Sequence, residues 1–460
     1  MSSVLVFDIG KTHVKLNVVD AAGVIVETLR DSNAARPGPP YGHFDLAQRE
    51  TWAWAAIRAL ASRHAIATIV TTSHGSAGVL VDAAGPVLPM MDYEAVVPAA
   101  IDAAYRSLVD PYPARGSALL PGAAHLARQM FWYSRAWPAV FARAEAFLAQ
   151  PQYWAWRFSG VAASEHTMLG AQSQLRDVLA GRPTRLAQAR GFLRLLPPLR
   201  PAWEALGPVR PDLAAPLGLA PETRVLCGVH DSSGNFYRYQ AAGMTDFTVI
   251  STGTWIVGLT DAFDPARLDE RRGMTVNADV FGRPLAGVLA MGGRDFAAIA
   301  GCDPQGPAEA ALIAALIARG SMALPSFSED DGPFPGSGGR GRLIGPPPEN
   351  AAERRALAVL HGALLTKACL DALKGEEASG KVALDGSFLN DPLYAPLVAG
   401  LRSGDTILTS AEPNGTAIGA ALLAHHGSAA HCALAPVSPL AMPGLAEYAA
   451  DWAARAAAAL

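Results

Sequence analysis

A short glycine turn near the start of the chain carries residues suited to binding phosphate. The segment Asp8–Lys15 has the sequence DIGKTHVK and lies between two apolar runs. Such a turn offers backbone N–H groups to anionic oxygens, while hydroxyl and ammonium side chains add donors and charge. Asp8 suits a water-mediated Mg²⁺ contact, since Mg²⁺ retains several waters. An ordinary hairpin with exposed lysines fits the same pattern. The residues of this predicted phosphate-binding turn are Gly10, Lys11, Thr12, His13 and Lys15.

A second hydroxyl-rich turn follows the apolar run Phe247–Ile250. It contains Thr252, Gly253 and Thr254 and is followed by a further apolar run. Its amides and hydroxyls could hold the β- and γ-phosphates of ATP, although a plain hairpin turn has the same composition. The pattern G-x-x-x-x-G-K-[ST] is absent from the sequence, which excludes a P-loop. Two such turns, each opening one half of the chain, indicate two similar domains that face one cleft.

Asp231 is the candidate general base. It follows the predicted strand Arg224–Gly228 and precedes a predicted helix. A carboxylate at this place can accept the proton of a sugar hydroxyl as that oxygen attacks a γ-phosphate. A helix N-cap is the alternative role, because Asp is favoured there for its hydrogen bonds to the backbone.

Candidate sugar ligands lie between these motifs. His74 and Gly75 follow a predicted buried strand, and Asp92 and Tyr93 come shortly afterwards. Imidazole and carboxylate groups suit hydrogen bonding to several hydroxyls. The stretch His74–Gly78 nearly matches the G-x-S-x-G nucleophile elbow, but His74 occupies its first position, which argues against a serine hydrolase. A core histidine remains an alternative for His74.

A glycine after the predicted strand Lys381–Leu384 allows close backbone approach to a flat ligand. The sequence there is DGSFLN, from Asp385 to Asn390. An adenine ring would suit this place, with Gly386, Ser387 and Asn390 as contacts. An ordinary strand-to-helix turn is the alternative.

The elements that must position these residues alternate between strands and helices, which favours an α/β fold. The first thirty residues predict a β-meander, and residues 51–64 predict an amphipathic helix. Further helices are predicted at 125–150, 184–195 and 351–374. The Gly- and Pro-rich segment 325–348 is long for a plain connection and is either a mobile loop near a site or a surface loop.

Composition limits the class of protein. The 460 residues are 50% hydrophobic and 17% charged, with a net charge of −4. These values predict a globular protein and give no basic patch for nucleic acid. The sequence shows no signal peptide and no charge-free run of about 18 apolar residues, so we expect a cytoplasmic protein that does not bind membranes. Widely spaced cysteines argue against a disulfide scaffold. Whether the protein forms a homodimer stays open.

The order of these motifs resembles the FGGY carbohydrate kinases of the actin–hexokinase superfamily. Asp8–Lys15 is similar to the family's first phosphate motif, and Ser251–Thr254 to its second. Val225–Asp231 is similar to the turn that carries the catalytic aspartate. Other stretches resemble further family motifs: Val79–Asp82 with Gly85 and Asp92, Gln152–Tyr153, Ser164–Thr167, Gly386–Phe388 and Asn414–Ala421.

The resemblance implies two ribonuclease-H-like domains of the actin/hexokinase type flanking a central cleft. Residues 1–242 would form the N-terminal domain, which binds the sugar and carries Asp231. Residues 243–460 would form the C-terminal, nucleotide-binding domain, with a last helix able to pack back on the first domain. ATP and Mg²⁺ are the implied cofactors, and Asp8 and Asp231 the implied metal contacts through water.

Several positions depart from better-known members of the family. His74 and Ser76 stand where the xylulose kinases have Gln and His, and Gln152 stands where many members have Asp. Asp92 is followed by Tyr93 and Glu94 rather than by an Arg two residues on. Asp385-Gly386 likewise replaces a double glycine. The substrate therefore cannot be carried over from xylulose or glycerol kinases. Phe388 and Asn390 look more like the L-fuculose and rhamnulose kinase branch.

The sequence thus predicts ATP-dependent phosphorylation of a hydroxyl on a small sugar or polyol. A ketose such as fuculose, rhamnulose or xylulose is the expected acceptor, and Asp231 the expected general base. Two alternatives stay open: a sugar- and nucleotide-binding regulator without transfer activity, and an actin-like ATPase.

Overall fold

The computed structural model describes residues 3–301, 306–410, 412 and 414–458, and these residues form two compact units. The first unit contains residues 1–243, 276–284 and 414–431. The second contains residues 244–275, 285–413 and 432–460. The first division between the units lies at residue 243, and the domain boundary expected from the sequence stays a prediction. Two later segments also belong to the first unit, whereas the sequence analysis predicted a single boundary between two continuous domains.

A mixed sheet forms the centre of the first unit. The strand Ser3–Ile9 is buried along most of its length, antiparallel to His13–Val19 and parallel to Ile66–Ser73. The predicted meander is therefore confirmed. In spatial order the strands are Ala205–Pro208, Arg224–Leu226, Ile66–Ser73, Ser3–Ile9, His13–Val19 and Ile25–Ser32, and Val229–His230 also pairs with Ile66–Ser73.

Short strands and helices surround this sheet. The short strands are His43–Phe44 with Met90–Met91, Gly78–Asp82 with Gly85–Pro86 and Ala146–Ala149, Ser164–Glu165 with Leu199–Arg200, and Arg176–Asp177 with Arg182–Pro183. The α-helices are Leu46–Ala61, Ala99–Arg106, Leu126–Ala136, Pro138–Arg143, Gln150–Ser159, His166–Gly170, Arg185–Ala189, Pro211–Leu217, Asp231–Ala241 and Gly415–Leu422. Single 3₁₀ turns lie at Phe192–Leu195 and Leu423–His425.

Three helix predictions for the first unit need correction. The helix expected at 51–64 begins earlier, at Leu46, because the carboxylate of Asp45 accepts a hydrogen bond from Gln48 N at 3.0 Å and caps it. The helix expected at 125–150 is broken before Pro138, which lacks an N–H donor, and it ends in a strand. The helix expected at 184–195 is interrupted at Gly191, whose φ is +67°.

The helix Gly415–Leu422 joins the first unit through direct backbone contact with the helix Asp231–Ala241. A Cβ atom added to Gly419 would lie 1.9 Å from the carbonyl oxygen of Gly234. Only glycine permits this approach, which explains why a segment late in the chain belongs to the first unit.

Glu165 is a buried carboxylate at the start of the short helix His166–Gly170. Its Oε2 accepts hydrogen bonds from Thr167 N at 2.8 Å and from Thr167 Oγ1 at 2.5 Å. Only 1% of the residue is exposed. Burial raises the pKa of Glu165 to about 7, against the opposing effect of the Thr167 hydrogen bonds.

The second unit has its own mixed sheet. Phe247–Thr252 is antiparallel to Ile256–Thr260 and parallel to Lys381–Gly386, which confirms the predicted strand–turn–strand unit. In spatial order the strands of this sheet are Met274–Ala278, Pro284–Ala290, Ile256–Thr260, Phe247–Thr252, Lys381–Gly386, Thr406–Ser410 and Leu434–Pro436. Residues 276–278 and 284 of its first two strands belong to the first unit. Met322–Leu324 pairs with Arg342–Ile344 in a separate ribbon. The α-helices are Gly292–Ala300, Ala310–Ala318, Ala351–Lys374, Tyr394–Leu401 and Leu445–Ala458, and the 3₁₀ turns are Pro265–Arg267, Glu270–Arg272 and Ser387–Asn390.

The predicted helix Ala351–Lys374 is confirmed and forms the core of the second unit. Asn350 caps it by accepting a hydrogen bond from Glu353 N at 3.0 Å. By length and composition it is the one helix among the described residues that could cross a membrane. Its most apolar stretch, however, is 89% buried inside the protein. Burial on all sides explains its apolar character.

Acidic side chains hold the segment 325–348 in a set of turns. Asp295 Oδ1 accepts hydrogen bonds from Phe327 N and Ser328 N, at 2.9 and 3.1 Å. Farther along, the carboxylate of Asp331 accepts from Gly336 N and Gly338 N, both at 2.8 Å.

The last helix, Leu445–Ala458, packs within the second unit and not on the first domain as the sequence allowed. Trp452 Nε1 donates to Ala323 O at 2.7 Å, and Tyr448 Oη donates to Ser321 O at 2.5 Å. These two buried side chains fix the position of the helix.

The close contact at Gly419 makes a stability prediction. The substitution Gly419→Ala should lower the stability of the first unit by about 1–3 kcal/mol, because the added methyl group overlaps Gly234 O. Differential scanning calorimetry would measure the change in Tm. Gly306→Ala is the matched control, since no atom lies within 4 Å of the added Cβ. Equal Tm values for the two variants would contradict the contact.

The raised pKa of Glu165 predicts a pH effect. The unfolded carboxyl ionises near pH 4.5 and the folded one near pH 7, so folding binds a proton between these values. Stability should fall as pH rises through this window, by about 2–3 kcal/mol for this group alone. As the pH rises from 5 to 7.5, the stability of Glu165→Gln relative to wild type, measured by urea unfolding, should therefore increase. The exposed Glu145→Gln is the control, and parallel pH profiles for wild type and Glu165→Gln would refute the prediction.

Candidate active site residues in the two units

The predicted phosphate-binding turn of the first unit is a tight hairpin. Gly10 N donates to His13 O at 2.9 Å, and the side chains of Thr12 and His13 are exposed, with Thr12 Oγ1 3.1 Å from His13 Nδ1. Asn33 closes the turn from outside, because its Nδ2 donates to Gly10 O at 2.7 Å and its backbone N donates to Thr12 O at 2.8 Å. No sequence pattern indicated this role for Asn33.

Three strand ends bring the predicted acidic residues together in the first unit. Ile9 and His230 both pair with Ser73 in parallel, so Asp8, His74 and Asp231 lie at one edge of the sheet. The carboxyl ends of adjacent parallel strands form a common ligand-binding edge in α/β proteins.

Asp8 and Asp231 interact electrostatically at this edge. Burial and, to a smaller extent, the negative charge of Asp231 raise the pKa of Asp8 to about 6. Lys15, the cross-strand partner of Asp8, opposes both effects. Two carboxylates and one ammonium group therefore lie in this part of the unit. The excess of acidic over basic groups suits a hydrated divalent cation.

Asp231 is the first residue of the helix Asp231–Ala241. Its Oδ1 accepts a hydrogen bond from Ser232 N at 2.6 Å and lies 3.3 Å from His230 Nε2. Its side chain is 31% exposed, and Oδ2 has no hydrogen-bond partner among the described residues. One carboxylate oxygen is thus held in place while the other is available to accept a proton.

Buried polar residues support the chain just before Asp231. His230 N donates to Thr167 Oγ1 at 2.9 Å, and that hydroxyl in turn donates to Glu165. On the other side, Gln152 Nε2 donates to Cys227 O at 3.1 Å. In the sequence analysis Gln152, Glu165 and Thr167 were noted only because they resemble family motifs. Their hydrogen bonds show that they hold the backbone just before Asp231 in place.

A second group of side chains in the first unit forms what we call the acceptor cluster: Lys11, Phe44, His74, Asp92, Tyr93 and Glu94. Lys11 Nζ forms an ion pair with Asp92 Oδ1 and lies 3.3 Å from Glu94 Oε2. It also lies 4.7 Å from the ring centroid of Tyr93. The structure thus brings the predicted sugar ligands Asp92 and Tyr93 together with Lys11, which the sequence assigned to phosphate.

His74 is neutral in this cluster. Burial lowers the pKa of its imidazole, and the carbonyl of Gly75 accepts a hydrogen bond from Nδ1 at 2.6 Å. The proton is therefore on Nδ1, so Nε2 carries a lone pair, and this atom has no hydrogen-bond partner among the residues that the structure describes. Its ring lies 5.4 Å from that of Tyr93. Gly75 is needed for close packing, since a Cβ atom there would lie 3.1 Å from His230 Nε2.

In the second unit, Thr252 joins the two predicted nucleotide motifs. Its Oγ1 donates to Asp385 O at 2.8 Å and accepts from Phe388 N at 3.1 Å. Gly386 pairs with Thr252 at φ +92°, and a Cβ atom on it would lie 2.0 Å from Thr252 O. The side chain of Thr252 is buried and structural, whereas that of Thr254 is exposed.

A further close glycine contact, at Gly293, lies against the turn at Gly253. A Cβ atom on Gly293 would lie 2.2 Å from Gly253 O, and Gly293 N donates to Thr254 O at 3.1 Å. The helix Gly292–Ala300 therefore begins directly against this turn. The sequence analysis missed Gly293, for which the Gly-Gly pair before a helix was the available signal.

A cavity of about 530 Å³ opens beside these turns, within the second unit. This volume lies in the range of small-molecule sites. Phe296, Phe388 and Tyr394 provide aromatic walls, with 5.4 Å between the rings of Phe296 and Phe388. Arg355 lies 5.1 Å from the Phe296 ring centroid and 3.2 Å from Asp391 Oδ2. Gly253, Thr254, Ser387 and Asn390 from the sequence prediction also line it.

The residues present fit an adenine nucleotide and Mg²⁺. The cavity combines a flat aromatic wall with glycine turns whose backbones a Cβ atom would obstruct. No group of three or more His, Cys, Asp or Glu side chains gathers as a metal cage in the part of the chain that is described. Asp8 and Asp231 together supply the few carboxylate contacts that a largely hydrated Mg²⁺ requires.

Profiles of a known protein family match most of this chain. The profile for the N-terminal domain of the FGGY family of carbohydrate kinases matches residues 3–236, and the profile for the FGGY C-terminal domain matches residues 244–432. L-fuculokinase of Escherichia coli strain K12 is 26% identical over 296 residues, which cover 60% of this chain and 60% of the relative. This chain therefore matches less than two thirds of that relative's length.

Solved structures show the same fold. A carbohydrate kinase from Novosphingobium aromaticivorans is 29% identical, with a TM-score of 0.89 over 100% of both chains. A xylulose kinase from Lactobacillus acidophilus is 15% identical, with a TM-score of 0.79 over 99% of this chain and 97% of that one. The α/β fold of two actin/hexokinase-type domains is confirmed, and the chain belongs to the FGGY family of carbohydrate kinases.

Proposed function

We propose that this protein transfers the γ-phosphoryl group of ATP to a hydroxyl of a small sugar or polyol. The observation that carries the proposal is the position of Asp231, with one carboxylate oxygen held and the other available, at the strand edge shared with Asp8 and His74. A ketose such as fuculose, rhamnulose or xylulose is the proposed acceptor. Support comes from the L-fuculokinase relative and from Phe388 and Asn390.

The first unit binds the acceptor in this proposal. Asp92 and Tyr93 bind sugar hydroxyls, and the neutral His74 accepts a hydrogen bond at Nε2. Asp231 Oδ2 takes the proton of the attacking hydroxyl, which is general-base catalysis. Glu165 and Thr167 keep the Asp231 backbone in place through His230 N.

The second unit binds the nucleotide. Adenine lies against the aromatic wall of the 530 Å³ cavity, and the turn at Gly253 and Thr254 donates to phosphate oxygens. In the first unit Gly10, Thr12, His13 and Lys15 provide further donors and charge. Mg²⁺ neutralises developing charge on the phosphates when bound, and Asp8 and Asp231 would hold its water ligands.

The remaining predictions on cellular context follow from this activity. A sugar kinase that uses ATP belongs in the cytoplasm, with sugar and nucleotide as its partners and without nucleic acid or membrane. A homodimer stays an open prediction.

The role of Asp231 predicts a large loss of turnover. Asp231→Asn should lower kcat by about 10²–10⁴-fold, because the amide cannot accept the hydroxyl proton. A coupled ADP-release assay with Mg²⁺-ATP would measure it against ketoses, aldoses and polyols. The panel includes both hands of xylulose, ribulose, fuculose and rhamnulose, with glycerol and erythritol.

Asp212→Asn is the matched control, since Asp212 is an exposed carboxylate in the first turn of another helix of the first unit. Turnover of Asp231→Asn near that of wild type would remove Asp231 from the proposed role. ADP release that no sugar stimulates would favour an actin-like ATPase, and sugar binding without turnover would favour a regulator.

The nucleotide cavity makes a separate prediction. Arg355→Gln should raise KM for ATP about 5–10-fold, because the cation stacked on Phe296 and paired with Asp391 is lost. If the cavity binds the nucleotide and not the sugar, KM for the sugar should change by less than about twofold. Arg354→Gln removes the adjacent exposed charge and serves as control. An unchanged KM for ATP in Arg355→Gln would exclude this cavity as the nucleotide site.

A further inference from the structure

The Lys11 side chain lies in the acceptor cluster although its backbone belongs to the phosphate-binding turn. Its ammonium group contacts two carboxylates, Asp92 and Glu94, and two aromatic rings. The ring centroids of Tyr93 and Phe44 lie 4.7 and 5.4 Å from Nζ. The side chain is 23% exposed, so most of its surface is covered by these neighbours.

Asp92 is held by the surrounding backbone as well. Its N donates to Gly42 O at 2.8 Å, and its Oδ1 accepts from Glu94 N at 3.2 Å. The side chain of Asp92 is only 9% exposed. If Lys11 turned away towards a phosphate, this enclosed carboxylate would lose its cationic partner, which is costly for a buried charge.

We propose that Lys11 is a specificity-determining residue for the sugar acceptor and not a phosphate ligand. This inference rests on the proposed function, since it assigns a role within the same reaction. Lys11 fixes the Asp92 carboxylate for hydrogen bonding to acceptor hydroxyls, and its ammonium group donates to an acceptor oxygen. Lys15, paired across the strands with Asp8, provides the cation of the turn for phosphate.

The charges of the cluster also indicate the class of acceptor. Lys11, the ammonium group of the cluster, is already paired with the Asp92 carboxylate, whose side chain is only 9% exposed. The Asp92 carboxylate attracts hydroxyl donors and repels an anionic ligand group, because solvent screens it little. The acceptor is therefore a neutral polyhydroxy compound and not a sugar acid.

Lys11→Met tests the assignment, because methionine keeps most of the apolar stem between the aromatic rings and removes the charge. With the panel ketose of highest kcat/KM as probe, KM for the sugar should rise at least about tenfold while KM for ATP stays within about twofold. Lys11→Arg should restore most of the sugar affinity. The exposed Lys381→Met of the second unit is the control.

A KM increase for ATP with unchanged KM for the sugar would overturn the proposal and make Lys11 a phosphate ligand. An unchanged KM for both substrates would overturn it as well. Wild-type turnover of D-gluconate comparable to that of the best neutral ketose would contradict the inferred acceptor class.

Calorimetry separates this inference from the proposed function. Wild type and Lys11→Met are titrated without nucleotide, first with each panel sugar and then with D-gluconate. Sugar binding that Lys11→Met weakens supports the inference even if wild type transfers no phosphate, in which case only the proposed function fails. Equal sugar binding by both proteins, or sugar binding by neither, overturns the inference.

Discussion

Parallel pairing of two strand ends with Ser73 is the constraint on which the candidate site of the first unit depends. Ser73 is the shared partner of Ile9 and His230, so the chain after each of these three strands emerges at one edge. Residues separated by more than 200 positions, Asp8 and Asp231, therefore influence each other electrostatically. The second unit has the same kind of parallel pairing at its strand ends, where Thr252 pairs with Gly386. In both units the hydrogen-bond ladder decides which turns become neighbours.

Close backbone contact at glycine is the second shared feature. Gly386, Gly293 and Gly419 each stand where a Cβ atom would lie within about 2.2 Å of a carbonyl oxygen. In the second unit these contacts bring the helix Gly292–Ala300 and the strand Lys381–Gly386 directly against the turn at Gly253, beside the cavity. In the first unit the contact at Gly419 joins two helices and brings a segment from the end of the chain to the helix that starts with Asp231.

Local patterns predicted the strands well, because alternation, turn residues and chain order are properties of short segments. The meander after Ser3 and the helix Ala351–Lys374 are examples. Helix ends were predicted less well where single residues decide them, as at Asp45, Pro138 and Gly191. Long side chains were hardest to place. Lys11 and Arg355 reach neighbours far away in sequence, and no local pattern indicates which carboxylate each will meet.

The most direct test of phosphoryl transfer is to identify its product. Wild-type protein, Mg²⁺-ATP and one panel sugar at a time would be incubated and the products analysed by mass spectrometry and ³¹P NMR. Transfer with Asp231 as base predicts a phosphate ester of at least one neutral sugar, which forms in stoichiometric amount with ADP and is lost in Asp231→Asn. Inorganic phosphate as the sole phosphorus product beside ADP, with every sugar recovered unchanged, would contradict a sugar kinase.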